Sequence, residues 1–461
     1  MRHCLCCGGT VLDSQESNDG RQLSVKLFCI NGHQSSWKSQ PLIKNTPAGN
    51  LLSSAAILFS GNTFERISQF ASFLNLHFIS NPTFYSIQKK YLLPVVEKAW
   101  EEEKWQVLND AKVAGFVNLS GDGRCDSPGH SAKYGTYTLM EDTGKIITFN
   151  VVQSTEVSSS NAMEKEGFER CLEEVEKQVP VHRISTDRHI SISSTMNKNH
   201  PHISHQYDVW HLSKSITKKL RNKAKLKGNE NLALWIKSIS NHLWWCSSTC
   251  NKNAEELLEK WKSVLYHISN KHTWTGNTCF HKFCHPCLTE NEEKWWLSPT
   301  SQAYVAAEEL VCEKKQLKNL HKLIEFCHTG ELEVYHSLLL KYCPKREHFS
   351  FKGMVARTQL AALDHNSNVN REQAVLQSGV KKGEVRYRMS FTKQKKQWVV
   401  NPMKGKEEYW YVDRLLESTV HACENGESEL VAHGDNLPKN IAALPTPNKE
   451  MLIQQHKSRF S

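Results

Sequence analysis

Residues 116–126 read F-V-N-L-S-G-D-G-R-C-D: an apolar strand pattern that ends on a carboxylate, Asp122, held between two glycines. A strand that stops on an aspartate presents that carboxylate at the edge of a sheet, where a cation can sit. Phosphoryl-transfer enzymes that use two divalent ions need one such aspartate as the shared ligand. The rest of the chain is therefore searched for partners of Asp122.

Moving outward, strand periodicity is expected over Val113–Gly121, Tyr134–Met140 and Ile146–Val152, with Asp142–Gly144 as the turn between the last two. Apolar residues at helical spacing (Phe168, Cys171, Leu172, Val175) predict a helix over Met163–Gln178, and Pro180 blocks its extension. Val181–Thr186 reads as a fourth strand that also ends on a carboxylate, Asp187, and Gln206–His211 as a fifth that passes into a helix. A three-strand meander, a helix and a parallel strand are the order of an RNase H-like fold. The right-handed crossover rule sets the fourth strand beside the first. Asp122 and Asp187 then lie side by side, where each raises the other's proton affinity unless a divalent cation compensates. Mg²⁺, or Mn²⁺, suits such oxygen ligands. The plain alternative is that Asp122 caps a G-D-G turn and Asp187 merely ends a surface strand.

A third acid is expected on a later helix. Glu333 is favoured, because Thr329 or Gly330 opens a helix with Leu332, Tyr335 and Leu339 on its buried face and His336 on the next turn. Leu363-Asp364-His365-Asn366, followed by Arg371-Glu372, competes with it. Asp208 is a further candidate ligand, and His189 and His336 are candidates for assisting proton movement.

The 461 residues allow two or three domains, and the net charge of +10 suits a polyanionic partner. Fifteen cysteines, with no signal peptide and no long apolar run, argue against a secreted disulfide framework and for reduced thiols or metal ligands in a soluble intracellular protein. Cys4-x2-Cys7, followed by two glycines, and Cys29-x3-His33 form two properly spaced pairs for a structural Cys3His zinc site. A second zinc site is read from Cys246, Cys250, Cys284 and either His285 or Cys287, against the alternative of buried thiols. Lys214, Lys218, Arg221 and Lys225 fall on one helical face, which would follow a phosphate backbone or simply face solvent.

The chain thus divides into a zinc-ribbon-like module (1–45), a helical segment (46–108), a core (109–228), a Trp- and Cys-rich helical insertion (229–300), the rest of the core (301–376), a basic accessory element (377–423) and a disordered tail (424–461). In the helical segment, T-F-Y-S-I-Q-K-K-Y (83–91) reads either as the second helix of a helix-turn-helix entering a DNA groove or as ordinary packing. The fold class is a mixed-sheet RNase H-like core of α+β or α/β type with a large helical insertion.

Four stretches carry a family resemblance: G-D-G-R-C-D-S-P-G-H-S-A-K-Y-G-T-Y-T (121–138), S-T-D-R-H-I-S-I (185–192), Y-D-V-W-H-L-S-K-S (207–215) and L-D-H-N-S-N-V-N-R (363–371). Together they resemble eukaryotic cut-and-paste DDE transposases, nearest to the Kolobok group and its host-retained relatives. The resemblance implies Asp, Asp and Glu ligands for catalytic Mg²⁺, at Asp122, Asp187 and Glu333. It also implies double-stranded DNA at transposon ends as substrate, a nuclear location, no membrane, and a homodimer that pairs two ends. The rival expectation is a host-retained DNA-binding protein that keeps the fold and no longer cuts.

Overall fold

The computed structural model describes residues 3–128, 132–272, 295–392, 396–426 and 447–457. Its amino-terminal module is an antiparallel sheet of β1 (Val11–Asp19), β2 (Gln22–Cys29) and β3 (Gln34–Lys38). The β1–β2 turn needs Gly20, whose φ is +59° and whose Cβ, if present, would lie 2.7 Å from Asn50 Oδ1. Asn50 accepts from the Arg21 amide and donates to the Asp19 carbonyl, which docks the turn onto the next helix. A two-residue hairpin, β4 (Leu42–Ile43) and β5 (Thr46–Pro47), leads into α1 (Ala48–Phe59), α2 (Phe64–Phe73), α3 (Asn81–Ile87) and α4 (Leu93–Ala114).

The central element is a five-stranded mixed sheet of β6 (Val117–Cys125), β7 (Tyr134–Glu141), β8 (Ile146–Gln153), β9 (Val181–Thr186) and β10 (Ser204–Tyr207), in the order β10-β9-β6-β7-β8. The meander β6-β7-β8 is antiparallel, and β9 and β10 run parallel to β6. The crossovers are α5 (Ser160–Glu176), between β8 and β9, and α6 (Ile190–Asn199), between β9 and β10. Both faces of the sheet are covered, so β7 is buried along nearly its whole length instead of alternating. On one face Leu119, Tyr137, Leu139 and Ile184 pack against Phe168, Cys171, Leu172 and Val175 of α5 and against α6. On the other, Tyr134, Met140, Ile146 and Val151 meet α1, α4 and three helices from later in the chain.

Between these layers the chain makes a separate helical unit: α7 (Val209–Ala224), α8 (Ile236–Thr249), α9 (Ala254–Lys262), α10 (Val264–Ile268), α11 (Gln302–Val311) and α12 (Lys314–Leu320). Its core holds Trp235 and Trp261, whose indole N–H groups donate to the Trp295 and Val311 carbonyls. One apolar core runs from Tyr207 to Ile324, so the unit starts at α7 and extends past 300, wider than the expected 229–300. The reason is the apolar stripe of α7, whose Leu212, Ile216 and Leu220 serve this core and not the sheet.

The chain returns to the sheet with α13 (Gly330–Tyr342) and α14 (Phe351–Asn368), adds a hairpin of β11 (Tyr387–Thr392) and β12 (Gln397–Pro402), and ends with α15 (Trp410–Asn425) and α16 (Lys449–Gln455). Helix α14 is buried on nearly every side, and its two buried charges are engaged. Arg357 donates to the Gly61, Asn62 and Tyr342 carbonyls, and Asp364 accepts from the Tyr342 hydroxyl and from Lys341. A guanidinium or carboxylate this deep requires such partners.

Several expectations need correcting. Helix α4 continues to Ala114, so the first strand starts at Val117 and not Val113. It also runs past Asp122, which pairs with Thr138 inside the ladder and does not end it. The 83–91 element packs through one side, with Phe84, Ile87 and Tyr91 buried and Phe84 stacked on Phe64 at 5.1 Å, while Tyr85, Ser86, Lys89 and Lys90 are exposed. Residues 410–423 form helix α15, with Tyr411, Leu415 and Cys423 in the main core, where a basic accessory strand was expected. In the expected disordered tail, Lys449–Gln455 is a helix with no buried residue. Among the described residues no helix is long and apolar enough to cross a membrane.

Candidate active site and zinc module

Strand register builds the candidate active site. Gly121 on β6 stands opposite Thr186 on β9, so Asp122, within β6, and Asp187, just beyond the end of β9, follow as neighbours on two parallel strands. Alternation turns Gly121 and Gly123 towards α5 and Asp122 towards α13. The glycines serve close packing: a Cβ on Gly123 would meet Glu164 Cγ at 2.7 Å, and one on Gly121 the Tyr137 hydroxyl at 2.5 Å. Only a bare backbone admits α5 this closely. Asp122 Oδ1 accepts from the Gly123 amide at 2.8 Å, and Oδ2 lies 3.3 Å from Nδ1 of His336 on α13. Asp187 Oδ1 lies 3.2 Å from Nε2 of His211 on α7.

Glu333 sits in the first turn of α13, one turn before His336, and its charge acts on Asp187. It also lines a cavity of about 320 Å³ with Asp208, Trp210, Trp244, His328, Thr329 and Gly330. Glu331 turns away towards Gly144. The rival segment is structural: Asp364 is held as described, His365 Nε2 bonds the Gly144 carbonyl at 2.7 Å, and Asn366 bonds Ile146.

The electrostatics are those of carboxylates crowded without compensating charge. Burial, then the Asp122 charge, pushes Asp187 up to about 6. Burial, then Asp122 and Asp187, pushes Glu164 up to about 7. Glu164 escaped the sequence reading, yet a signal was there: it falls in the apolar stripe of α5, four residues before Phe168 and seven before Cys171. His211 was missed as well, because it was placed at the end of a strand. His189, which opens α6, is lowered by burial, and its Nδ1 has no hydrogen-bond partner.

Asp208 serves the fold. It caps α7, accepting from the His211 amide at 2.6 Å, and its second oxygen accepts from the Thr329 amide and hydroxyl at 2.6 and 2.8 Å. Asp208→Ala therefore strands three donors, and in urea unfolding it is expected to destabilise the chain by about 3 kcal/mol. A variant as stable as the parent would refute this structural role.

A hard divalent cation fits this site in kind. The donors are carboxylate oxygens, burial and neighbouring carboxylates raise Asp187 and Glu164, and His336 Nε2 and the Tyr137 hydroxyl are buried without a hydrogen-bond partner. The set is nevertheless open: Asp122, Asp187 and Glu333 are not gathered within 4.8 Å of one another. Among the described residues two groups are, namely Cys4, Cys7, Cys29 and His33, and the surface set Glu176, His200 and His202 at the opposite strand ends.

The first of these groups can hold zinc. Gly8, at φ +71°, turns the chain between the pairs, and a Cβ on Gly9 would lie 3.3 Å from Cys7 Sγ and 3.4 Å from Cys29 Sγ. The Gly9 amide, helped by the Asn31 side chain, lowers the Cys7 thiol to about 6, which readies a thiolate. Cys6 is exposed and lies outside the group. The module buries few apolar side chains, so a bound zinc would carry much of its folding; structural zinc supplies on the order of 10 kcal/mol. Cys7→Ser is expected to cut amide-exchange protection in 22–29 at least about a hundredfold while leaving 117–186 protected. Equal protection in both proteins would refute a zinc-held module. Of the second expected zinc site, Cys246 and Cys250 are buried thiols raised by burial, with Cys250 Sγ bonding the Ser247 and Ile324 carbonyls, and Cys284, His285 and Cys287 lie outside the described residues.

On α7, Lys214, Lys218, Arg221 and Lys225 are exposed, and none pairs with a carboxylate among the described residues. Their neighbours Lys219 and Lys223 do pair, with Glu313 and Glu309. Lys214 instead lies 4.3 Å from the centre of the Trp210 ring. Compared with known proteins, the chain matches no family model and no curated protein.

Proposed function

We propose that the chain is a metal-dependent phosphoryl-transfer protein acting on DNA, of the kind represented by cut-and-paste DDE transposases. The observation that carries this reading is the adjacency of Asp122 and Asp187 on neighbouring parallel strands, with Glu333 and Glu164 charged towards them from two helices. The strand order and directions, with helices on both faces, agree with an RNase H-like core. Asp122, Asp187 and Glu333 would hold Mg²⁺ or Mn²⁺, which when bound lowers the barrier to in-line displacement at phosphorus.

The chain's own residues then have definable tasks. Asp122 offers its Oδ2 while the Gly123 amide holds Oδ1 in place. His336 and His211 orient the two aspartates, each through one ring nitrogen. Glu164, poised near neutral pH, stores or releases a proton beside the reacting centre. The unpaired basic row of α7, which begins three residues after His211, would meet the phosphates leading into the site. Double-stranded DNA as substrate implies work in the nucleus, and pairing of two ends implies a homodimer.

The second reading is a DNA-binding relative that no longer cuts, favoured by the openness of the carboxylate set. Supercoiled plasmid with Mg²⁺ or Mn²⁺ separates the two. Nicking that requires the cation supports the first; tight binding without nicking under either cation rejects it in favour of the second.

A further inference from the structure

Residues 371–406 leave the body as an arm between α14 and α15. Its root is pinned: Asn368 bonds the Glu408 amide and carbonyl, Arg371 donates to the Gly405 carbonyl at 2.8 Å, and Lys404 to the Val369 carbonyl at 2.7 Å. Beyond the root no described residue of the arm is buried. Register places Tyr387 opposite Pro402, Met389 opposite Val400 and Phe391 opposite Trp398, so these six side chains share one face. Met389, Trp398 and Val400 are each more than 60 % exposed, and Phe391 meets Trp398 edge to face at 5.6 Å. An apolar face of this size left in water marks a surface that something covers.

Charge selects the occupant. Residues 371–406 contain ten Lys and Arg against two Glu, a net +8 in a chain whose total is +10. Two such arms repel each other, which disfavours a second copy of the chain as the cover. A polyanion is attracted by this charge; Arg386 and Arg388 are exposed and alternate to the other face of the hairpin, where their charge acts at longer range. A duplex keeps its base faces stacked internally, whereas an unpaired strand offers them to aromatic rings. The aromatic face therefore discriminates where the charge does not.

We propose that the arm is a platform for single-stranded nucleic acid, with bases stacked on Phe391 and Trp398 and the phosphates attracted by the arm's net positive charge. The proposal rests on the nucleic-acid substrate argued above and adds where an unpaired end is held. The test is fluorescence anisotropy of the full chain, in magnesium-free buffer, with a labelled oligonucleotide of about 20 nucleotides, its duplex, and phosphatidylserine vesicles as competitor. The single strand is expected to bind tightest. Phe391→Ala and Trp398→Ala should each weaken it about tenfold, and Arg386→Glu with Arg388→Glu should flatten its salt dependence. Both aromatic side chains are exposed, so these variants keep their fold. Unchanged affinity in the aromatic variants overturns the proposal. So does preference for duplex or vesicles, or a dimer in sedimentation that Trp398→Ala dissolves. Binding by the arm without cation-dependent nicking would sink the phosphoryl-transfer reading alone, and nicking with arm-independent binding would sink the arm alone.

Discussion

Asp122→Asn is expected to abolish cation-dependent nicking of supercoiled plasmid, with a loss of at least about a thousandfold. A cation ligand at the reacting centre is worth several kcal/mol, and each 1.36 kcal/mol is about tenfold in rate. Asparagine keeps the shape, and its carbonyl oxygen can still accept from the Gly123 amide, as Asp122 Oδ1 does at 2.8 Å. What disappears is the negative charge. Asp122 lies inside the β6–β7 ladder, opposite Thr138, so the backbone pairing is untouched and the melting temperature should not fall. Asp187→Asn is expected to behave alike, and Glu333→Gln to lose activity in the same direction. Parent and Asp122→Asn nicking at equal rates would remove Asp122 from the chemistry and the proposed function with it.

The second large effect concerns stability. In the metal-free fold Glu164 is raised to about 7 from an ordinary 4.5, first by burial and then by Asp122 and Asp187. A folded value above the unfolded one means that the protonated acid is favoured in the fold. Its contribution is full below the unfolded value and is lost as pH rises through about 7. Asp187, raised to about 6, acts with the same sign over a slightly lower window. Glu164→Gln removes the first of these titrations. In zinc-replete, magnesium-free buffer the variant should be more stable than the parent by about 2 kcal/mol at pH 8 and nearly equal at pH 5, read by urea unfolding. Added Mg²⁺ should narrow the gap at pH 8, because it compensates the charge that Glu164 adds. A variant no more stable than the parent at pH 8 would show that the ionised carboxylate is not crowded there.

Much of the frame was legible because it is written locally. Tyr134–Met140, Ile146–Val152 and Val181–Thr186 carry strand patterns that the structure reproduces to within a residue. The handedness of crossovers then suffices to set β9 beside β6, and so Asp187 beside Asp122. The four ligands Cys4, Cys7, Cys29 and His33 come as two short-spaced pairs, each nearly preformed by its own turn.

The losses have an equally definite cause. Asp208 looked like a ligand because it follows a strand; it became a cap once α13 brought Thr329 against it, a contact across 121 residues. Glu164 was hidden because a charge in an apolar stripe reads as a solvated edge until a glycine on another element, Gly123, leaves room for it. Sequence alone therefore determined the order of the elements, the two adjacent aspartates and the zinc quartet, since periodicity, chirality and short spacing are properties of the chain itself. Tertiary structure alone decided which acids face one another and which are spent on backbone donors, because that depends on how closely layers distant in sequence can pack.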